Sequence, residues 1–492
     1  MLLKYFYDEA LAHASYLVGC QRTGEAFIID PARAITPYLK AAAAEKMKIT
    51  GCVETHIHAD YLSGSCELAK QTEATLYLSD EGPADWKYQL GSEYSVQRLK
   101  GGDHIAIGNI QLTTMHTPGH TPESISLILT DLGSGANEPM GIFTGDFIFV
   151  GSVGRPDLLE EAAGIAGSAD QGARDLFRSI ENFNSLPDYL QIWPSHGAGS
   201  ACGKGLGAIP SSTVGYEKRF NPALQIPTEE DFVRFILDDQ PEAPPYFGLM
   251  KKLNKLGPKI IGDFRPKKLT PQLLDSLDQD CNIIDTAALE QFASQHVPGT
   301  INLPMKYLAS QGGWLINYDA PTYLISTGEK VLEAVRILHE IGIDNIEGYF
   351  DAEEVYASGL ASEKSQQQSP QWLAEALTTN SIRLVDVRRK SEWNAGRIAG
   401  AEHISLGRLA EEFGQTTSQE DNRSIVLQCR TGSRSAIATS VLRSLGVKNV
   451  INLSGGIEQW ETAGYPTVKE SPSLKSAPPQ EPISISISCA LN

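Results

Sequence analysis

The tightest constraint on this 492-residue chain is that much of its second half is written twice. "CNIIDTAALEQFASQHVPGTINLP", from Cys281, runs parallel to "IRLVDVRRKSEWNAGRIAGAEHISL", from Ile382, with Asp285 matching Asp386 at an offset of 101. Further on, "TYLISTGEKVLEAVRILHEIGIDNI" runs parallel to "IVLQCRTGSRSAIATSVLRSLGVKNV" at an offset of 104, which sets Thr327-Gly328 against Thr431-Gly432. Each copy reads as strand, loop, helix, strand, the pattern of a small α/β domain with a parallel sheet. Length alone suggests roughly three domains at about 150 residues each. The repeat accounts for two of them.

The first half is a different kind of domain. Short apolar runs alternate with His/Asp/Gly loops: "EAFIIDPA", "ITGCVETHIHAD", "ATLYLSD", "IQLTTMHTPGH", "SISLILTD", "GIFTGDFIFVG", "LQIWPSHGAG". They read as buried strands with the chemistry at their C-terminal ends. "QPEAPPYFGLM" is a Pro-rich connector, and "KESPSLKSAPPQEPISISISCALN" a Ser/Pro-rich tail read as disordered. The boundaries expected are 1–240, a linker at 241–260, a first repeat domain at 261–358, a linker at 359–373, a second repeat domain at 374–468 and the tail at 469–492.

A formal net charge of -19 and a pI near 5.0 exclude a nucleic-acid footprint, which needs a basic face. The first residues have neither a signal-peptide pattern nor an apolar run long enough to span a membrane, so no membrane partner and a cytoplasmic location are expected. The seven cysteines form no C-x-x-C pair, which argues against a disulfide scaffold or structural zinc knuckle. Cys489, in the tail, is read as incidental.

His56, His58 and Asp60 follow the apolar run "ITGCVET" directly; "TPGHT" brings His120 and "FTGD" brings Asp146, each at the end of a further strand. Imidazole and carboxylate converging from three strand ends point to a metal site. The pattern resembles the metallo-β-lactamase fold, an αββα sandwich, over about residues 1–230. In hydrolases of that superfamily the Asp and final His of a His-x-His-x-Asp-His loop carry a second zinc. Tyr61 stands in place of that His, which removes a nitrogen ligand and argues against a dinuclear hydrolase.

Two His and one carboxylate leave three positions open on a single metal, which suits Fe(II) that must take both a substrate and O₂. The set is similar to that of the persulfide dioxygenases. That resemblance implies one Fe(II) per chain held by His56, His120 and Asp146, with His58 and Asp60 beside it orienting ligands or hydrogen-bonding substrate. His116 is passed over because "PGH" favours His120, and His104 reads as a turn residue. Arg155, in "GRPD", is a candidate contact for an anionic substrate, with a surface ion pair as the alternative. His196 stands where zinc hydrolases place another ligand. Cys202, six residues on, either forms a persulfide that passes sulfur to the iron or packs a turn as a small buried residue.

"IVLQCRTGSRSAIATSVLRSLG" carries a second chemistry. A strand delivers Cys429 into the loop C-R-T-G-S-R and a helix follows at once. The backbone N–H groups of Thr431, Gly432 and Ser433, the helix end, Arg430 and Arg434 all favour the thiolate. A tyrosine phosphatase needs Arg six residues after its cysteine, where this chain has Ser435. The loop resembles that of rhodaneses, whose cysteine carries a sulfane sulfur; "LVDVR", "SEWNAGRIAGA" and "LSGGIEQW" fit the same family, with Asp386 and Arg388 as fold anchors. The first copy also looks like a rhodanese domain, yet Ile325 stands at the nucleophile's position. That copy is expected to be inactive, a spacer or dimerisation surface, and Cys281 lies too far from the loop to rescue it.

Together these features give an α/β multidomain chain, a metallo-β-lactamase αββα sandwich followed by two rhodanese-like domains with parallel sheets. It resembles persulfide dioxygenase-sulfurtransferase fusions. The resemblance implies that a low-molecular-weight thiol persulfide is oxidised by O₂ to sulfite, that Cys429 hands sulfane sulfur to sulfite to give thiosulfate, and that the chain forms a homo-oligomer, dimer or tetramer. The alternatives are a zinc thioester hydrolase of the glyoxalase II type and a non-oxidising sulfur carrier.

Overall fold

The computed structural model describes residues 1–469 apart from 159, 161–166, 239, 241, 279, 380 and 416–422; all but the first residue of the tail read at 469–492, Cys489 included, lies outside them. The amino-terminal unit stacks two six-stranded sheets. The first orders its strands Leu2–Asp8, His13–Cys20, Glu25–Ile29, Lys48–Val53, Thr75–Ser79 and Val96–Leu99, antiparallel over the first three and parallel from the third onward. The second runs Ser212–Thr213, Gln191–Pro194, Gly141–Gly145, Ile125–Asp131, Ile110–His116 and His104–Ile107.

Side-chain alternation decides what each face meets. Tyr16, Val18, Phe27, Ile29 and Val53 from one sheet close on Ile110, Leu112, Leu127, Phe143 and Trp193 from the other, forming the inner core. Their opposite faces carry the helices. Thr36–Ala44 and Ser65–Thr72 cover the first sheet, and Ser168–Asn184 and Glu229–Leu237 the second. The result is the αββα sandwich expected from the sequence.

Two further five-stranded parallel sheets follow, and the repeat is visible in them. The first orders Lys268–Leu269, Ile346–Asp351, Thr322–Ser326, Asn282–Asp285 and Ile301–Asn302; the second orders Gln366–Gln368, Val450–Leu453, Ser424–Gln428, Ile382–Asp386 and Glu402–His403. The copies differ where the anchors sit. In the second, the Arg388 guanidinium grips Asp386 with Nε at 2.9 Å from Oδ1 and Nη2 at 2.6 Å from Oδ2. In the first, the matching position is Ala287, and among the described residues buried Asp285 keeps only the Tyr356 hydroxyl at 2.8 Å and the Ala287 N–H at 2.8 Å.

The stretch read as a connector holds a helix, Phe247–Leu256. Its buried residues Phe247, Met250, Lys251 and Asn254 fall at i, i+3, i+4 and i+7, one continuous face. Phe247 and Met250 join a core cluster that also contains Ala59 and Leu62 of the metal loop, Leu338 and Ile341 of the first repeat domain, and Leu427 and Ile437 of the second. None of the described helices is long and apolar enough to cross a membrane.

Burial raises the Asp285 carboxyl to about 6. A carboxyl raised on folding favours the native state below its unfolded pKa and loses that contribution as pH climbs toward the folded value. Asp285→Asn is therefore expected to gain stability relative to the parent between pH 4 and pH 8, by on the order of 2 kcal/mol, measured as the difference in unfolding free energy at the two pH values.

Candidate metal centre and cysteine loop

Five strands of the two sheets end at the same edge of the sandwich, and each delivers polar groups there. Glu25–Ile29 ends at Asp30, Lys48–Val53 runs into the loop Glu54–Asp60, Ile110–His116 leads to His120, Gly141–Gly145 to Asp146, and Gln191–Pro194 to His196. All of these functional side chains are buried. Gly154 allows the chain to pass directly behind Asp146, since a Cβ there would lie 1.9 Å from the Asp146 carbonyl oxygen.

Three ligand sets emerge. His56, His120 and Asp146 present atoms that all lie within 4.8 Å of one another, as do Asp60, His196 and Cys202, and as do Asp30, Glu54 and His58. In the first set Asp146 Oδ2 is 3.8 Å from His56 Nε2 and 3.5 Å from His120 Nε2. The far nitrogens fix the rings. His120 Nδ1 donates to the Arg155 carbonyl at 2.9 Å. Thr55 Oγ1 donates to Asp30 Oδ2 at 2.8 Å, so His56 Nδ1, 3.0 Å from that hydroxyl, is the donor and its Nε2 keeps a free lone pair.

Those inward atoms fit a cation. His56 Nε2 and both Asp146 carboxylate oxygens are buried without a hydrogen-bond partner among the described residues. Burial, with the Asp60 charge adding to it, raises Asp146 to about 6, while burial and neighbouring cations lower His56 and His120 well below the usual imidazole range. Neutral imidazoles beside an uncompensated carboxylate form the donor set a borderline divalent metal takes.

The other predicted residues divide. His58 turns away from this set: its Nε2 lies 3.2 Å from Asp30 Oδ1 and 3.1 Å from Glu54 Oε2. Burial alone would lower its pKa, but these two carboxylates hold it well above the ordinary value as an imidazolium. Asp60 points to His196, with Oδ2 3.2 Å from Nε2; His196 Nε2 also lies 3.5 Å from Asp146 Oδ1. Tyr61 is buried between His13 and His58, with ring centroids at 4.0 and 4.6 Å, and its hydroxyl donates to the Asp30 carbonyl at 3.3 Å. The Cys202 thiol lies within 4.8 Å of ligand atoms of Asp60 and His196. Burial, then Asp60 and Asp146, raises its pKa. The loop motif alone could not reveal that Cys202 gathers with Asp60 and His196.

Arg155 is not on the surface. It is fully buried, its Nε 2.8 Å from Asp157 Oδ1 and its Nη2 bonded to the other carboxylate oxygen, while its carbonyl and N–H hold His120 and the Cys202 carbonyl. His116 is half-buried with Nε2 2.9 Å from the Pro122 carbonyl, and His104 is exposed beside Thr113.

Several groups at this site carry no motif. Glu123 accepts from the Ile57 N–H at 2.9 Å. Asn254, on the connector helix, donates to the carbonyls of His58 and Tyr61 at 2.9 and 2.8 Å and accepts from the Ser63 N–H at 2.9 Å. The first repeat domain also reaches the loop. The Leu62 N–H donates to the Glu340 carbonyl at 2.8 Å, and Arg33 ties the His339 carbonyl at 2.7 Å and Asp344 Oδ2 at 2.8 Å.

Cys429, at the end of strand Ser424–Gln428, is buried, and its Sγ accepts from the Gly432 N–H at 3.1 Å and the Ser435 hydroxyl at 3.4 Å. Gly432 has φ +91 and opens helix Ser433–Ser444. Gly456 packs against the loop so closely that a Cβ would lie 2.3 Å from the Cys429 carbonyl oxygen. Arg434 is paired with Glu392 at 2.6 and 2.7 Å and also interacts electrostatically with the Cys429 thiol, while exposed Arg430 is paired with Glu458 at 2.6 Å. The hydroxyls of Thr431 and Ser433 lie 3.3 Å apart on the exposed side. Ile325, at the first copy's equivalent position, is fully buried in the apolar core.

Asn254→Ala would strand the His58 and Tyr61 carbonyls and the Ser63 N–H. The expected cost is about 3 kcal/mol, together with weaker metal retention, read from metal content after dialysis against a chelator.

A model of the metallo-beta-lactamase superfamily matches residues 8–196, and a rhodanese-like domain model matches residues 369–463. The solved structure of a metallo-beta-lactamase from Staphylococcus aureus is 43% identical, with a TM-score of 0.64, and the match covers 71% of this chain and 98% of that one. The human persulfide dioxygenase ETHE1 is 26% identical over 238 residues, 48% of this chain and 80% of its own length. A probable metallo-hydrolase of Burkholderia pseudomallei is 27% identical over 261 residues, 47% of this chain and 84% of its own length. The chain belongs to the metallo-beta-lactamase superfamily, and it joins that fold to a rhodanese-like domain.

Proposed function

We propose that the chain oxidises a low-molecular-weight thiol persulfide with O₂ at one Fe(II), giving sulfite, and then makes thiosulfate through Cys429. The observation that carries this is the pairing, in one chain, of a buried two-histidine, one-carboxylate set with a cysteine cradled by Gly432 and Ser435. The likeness to a human persulfide dioxygenase over the first domain, and to rhodanese-like domains over the last, supports the same pairing.

His56, His120 and Asp146 would hold the iron, which when bound supplies open positions for O₂ and substrate. The protein fixes both imidazoles through Thr55 and the Arg155 carbonyl and walls the centre from water by burial. Overall, R-S-SH, O₂ and H₂O become R-SH and sulfurous acid. At the second site the Cys429 thiolate attacks the outer sulfur of another R-S-SH and releases R-SH. Sulfite then takes that outer sulfur, leaving thiosulfate and the free thiolate. One chain carrying both sites keeps sulfite close to its acceptor.

One observation favours a rival. Asp60, His196 and Cys202 could complete a second metal site, as a dinuclear zinc hydrolase would require. Two zinc ions per chain with thioester cleavage and no persulfide-dependent O₂ uptake would establish that rival instead.

The test is oxygen-electrode turnover of the iron-loaded protein against a panel of persulfides, with sulfite and thiosulfate quantified. Cys429→Ser is expected to keep O₂ consumption within about twofold while product shifts from thiosulfate to sulfite; thiosulfate formed at the parent rate would overturn the two-site scheme.

A further inference from the structure

Lys251 has no assigned role, yet its placement calls for one. It lies on the helix Phe247–Leu256, three residues before Asn254 and on the same buried face, so the face that braces the metal loop also carries an ammonium group. Lys251 is only 6% exposed, its Nζ has no hydrogen-bond partner among the described residues, and it lies 4.7 Å from the centroid of the Trp86 ring. Burial lowers its pKa to about 8, against the charges of Glu123, Cys202 and Asp146, and its own charge acts on His56 and His120.

A buried ammonium without a partner is costly, and proteins resolve that cost with a carboxylate, a hydrogen-bonding shell or a bound anion. The carboxylate that acts on Lys251 most strongly is Glu123. Glu123, however, uses Oε1 to hold the Ile57 N–H, and its Oε2 is as unpartnered as the Lys251 Nζ. The two are not joined as a hydrogen-bonded ion pair. The ring of Trp86 offers a partial counter-charge and contributes on one side only.

We propose that Lys251 is the anion-binding residue of the metal pocket, and that its ligand is the negatively charged sulfur group of the substrate or product: an ionised persulfide, or sulfite. This deepens the proposed function and rests on it for the identity of the ligand. A cation set apart from the metal lets the pocket take an anion against two positive centres, one fixed by the protein and one by the metal. An apolar residue at position 251 would complete the helix's buried face equally well, and a negative group beside Lys251 is what keeps its ammonium charged against burial.

The experiment measures sulfite binding by anaerobic calorimetry on the zinc-loaded full chain, so that no turnover occurs, with Cys429→Ser in every sample. Lys251→Met is expected to weaken sulfite binding at least tenfold at unchanged zinc content, and Lys251→Arg to restore it to within about threefold of the parent. Should Lys251→Met fail to hold zinc, Lys251→Gln carries the same expectation. Sulfite bound equally by the parent and by the uncharged variant, a Lys251→Arg no better than Lys251→Met, or no sulfite binding by the parent would each overturn the proposal. With iron and a persulfide, the same Lys251→Met should raise KM at least tenfold and leave kcat within threefold. If the parent shows no persulfide-dependent O₂ uptake, the dioxygenase reading fails by itself, and the sulfite isotherms still decide the role of Lys251.

Discussion

Everything at the amino-terminal edge follows from one constraint, the burial of opposing ionisable groups in a single place. Asp30, Glu54, His56, His58, Asp60, His120, Asp146 and His196 are all shielded from water. Groups of this kind are tolerated only when each has a partner or a ligand. His58 is settled as an imidazolium between Asp30 and Glu54, and Glu54 is further held by the hydroxyls of Ser63 and Ser65. Asp30 also takes the Thr55 N–H at 2.7 Å and the Ser195 hydroxyl at 2.6 Å. What this leaves open is the inward side of His56, His120 and Asp146. Unmet demand gathers on His56 Nε2 and both Asp146 oxygens, the atoms that would hold a metal, and beside them on Lys251 Nζ and Glu123 Oε2.

The loop that carries this charge is not held by its own domain alone. Its Leu62 N–H ends on the Glu340 carbonyl, its carbonyls at His58 and Tyr61 end on Asn254, and the adjacent Arg33 ends on His339 and Asp344. A helix C-terminus has carbonyls to spare, and helix Val331–Glu340 gives two of them to the metal domain. The first repeat domain therefore has a physical task that needs no cysteine. With Ile325 filling the nucleophile's place, its loop is free of the demands of sulfur chemistry while its helix end remains under the demand of fitting the metal loop.

How much of this was legible in the sequence depends on how local each signal was. The repeat announced both parallel sheets because it preserved spacing over some two dozen residues in each half. His56, His120 and Asp146 were legible because each closes an apolar run. Arg155 was visible but its environment was not, since no local pattern distinguishes a buried Arg-x-Asp pair from one on the surface. Lys251 and Asn254 were missed for a definable reason. Two polar residues on the buried face of a ten-residue helix spoil its apolar periodicity, and the prolines before it mark a connector. Cys202 could be noticed yet not placed, because its proximity to Asp60 and His196 is made by a loop closing across the sandwich edge.

The two centres are also mechanically related through the first repeat domain. On one side it meets the metal loop through Glu340. On the other, its Asn302 N–H donates at 2.9 Å to the hydroxyl of Ser440, on the helix whose amino end faces Cys429, and Trp314 packs where a Cβ on Gly407 would come within 1.9 Å of its ring. Ser405 of the second copy reaches back to Glu242 at 3.1 Å, beside the connector helix. A flexible tether would give the two chemistries only proximity, set by its length. A packed domain with contacts on both sides restrains them more than a tether would. On the proposed function, this seats the sulfur-bearing thiol on packing that also touches the loop of the centre where its small anionic acceptor would be made.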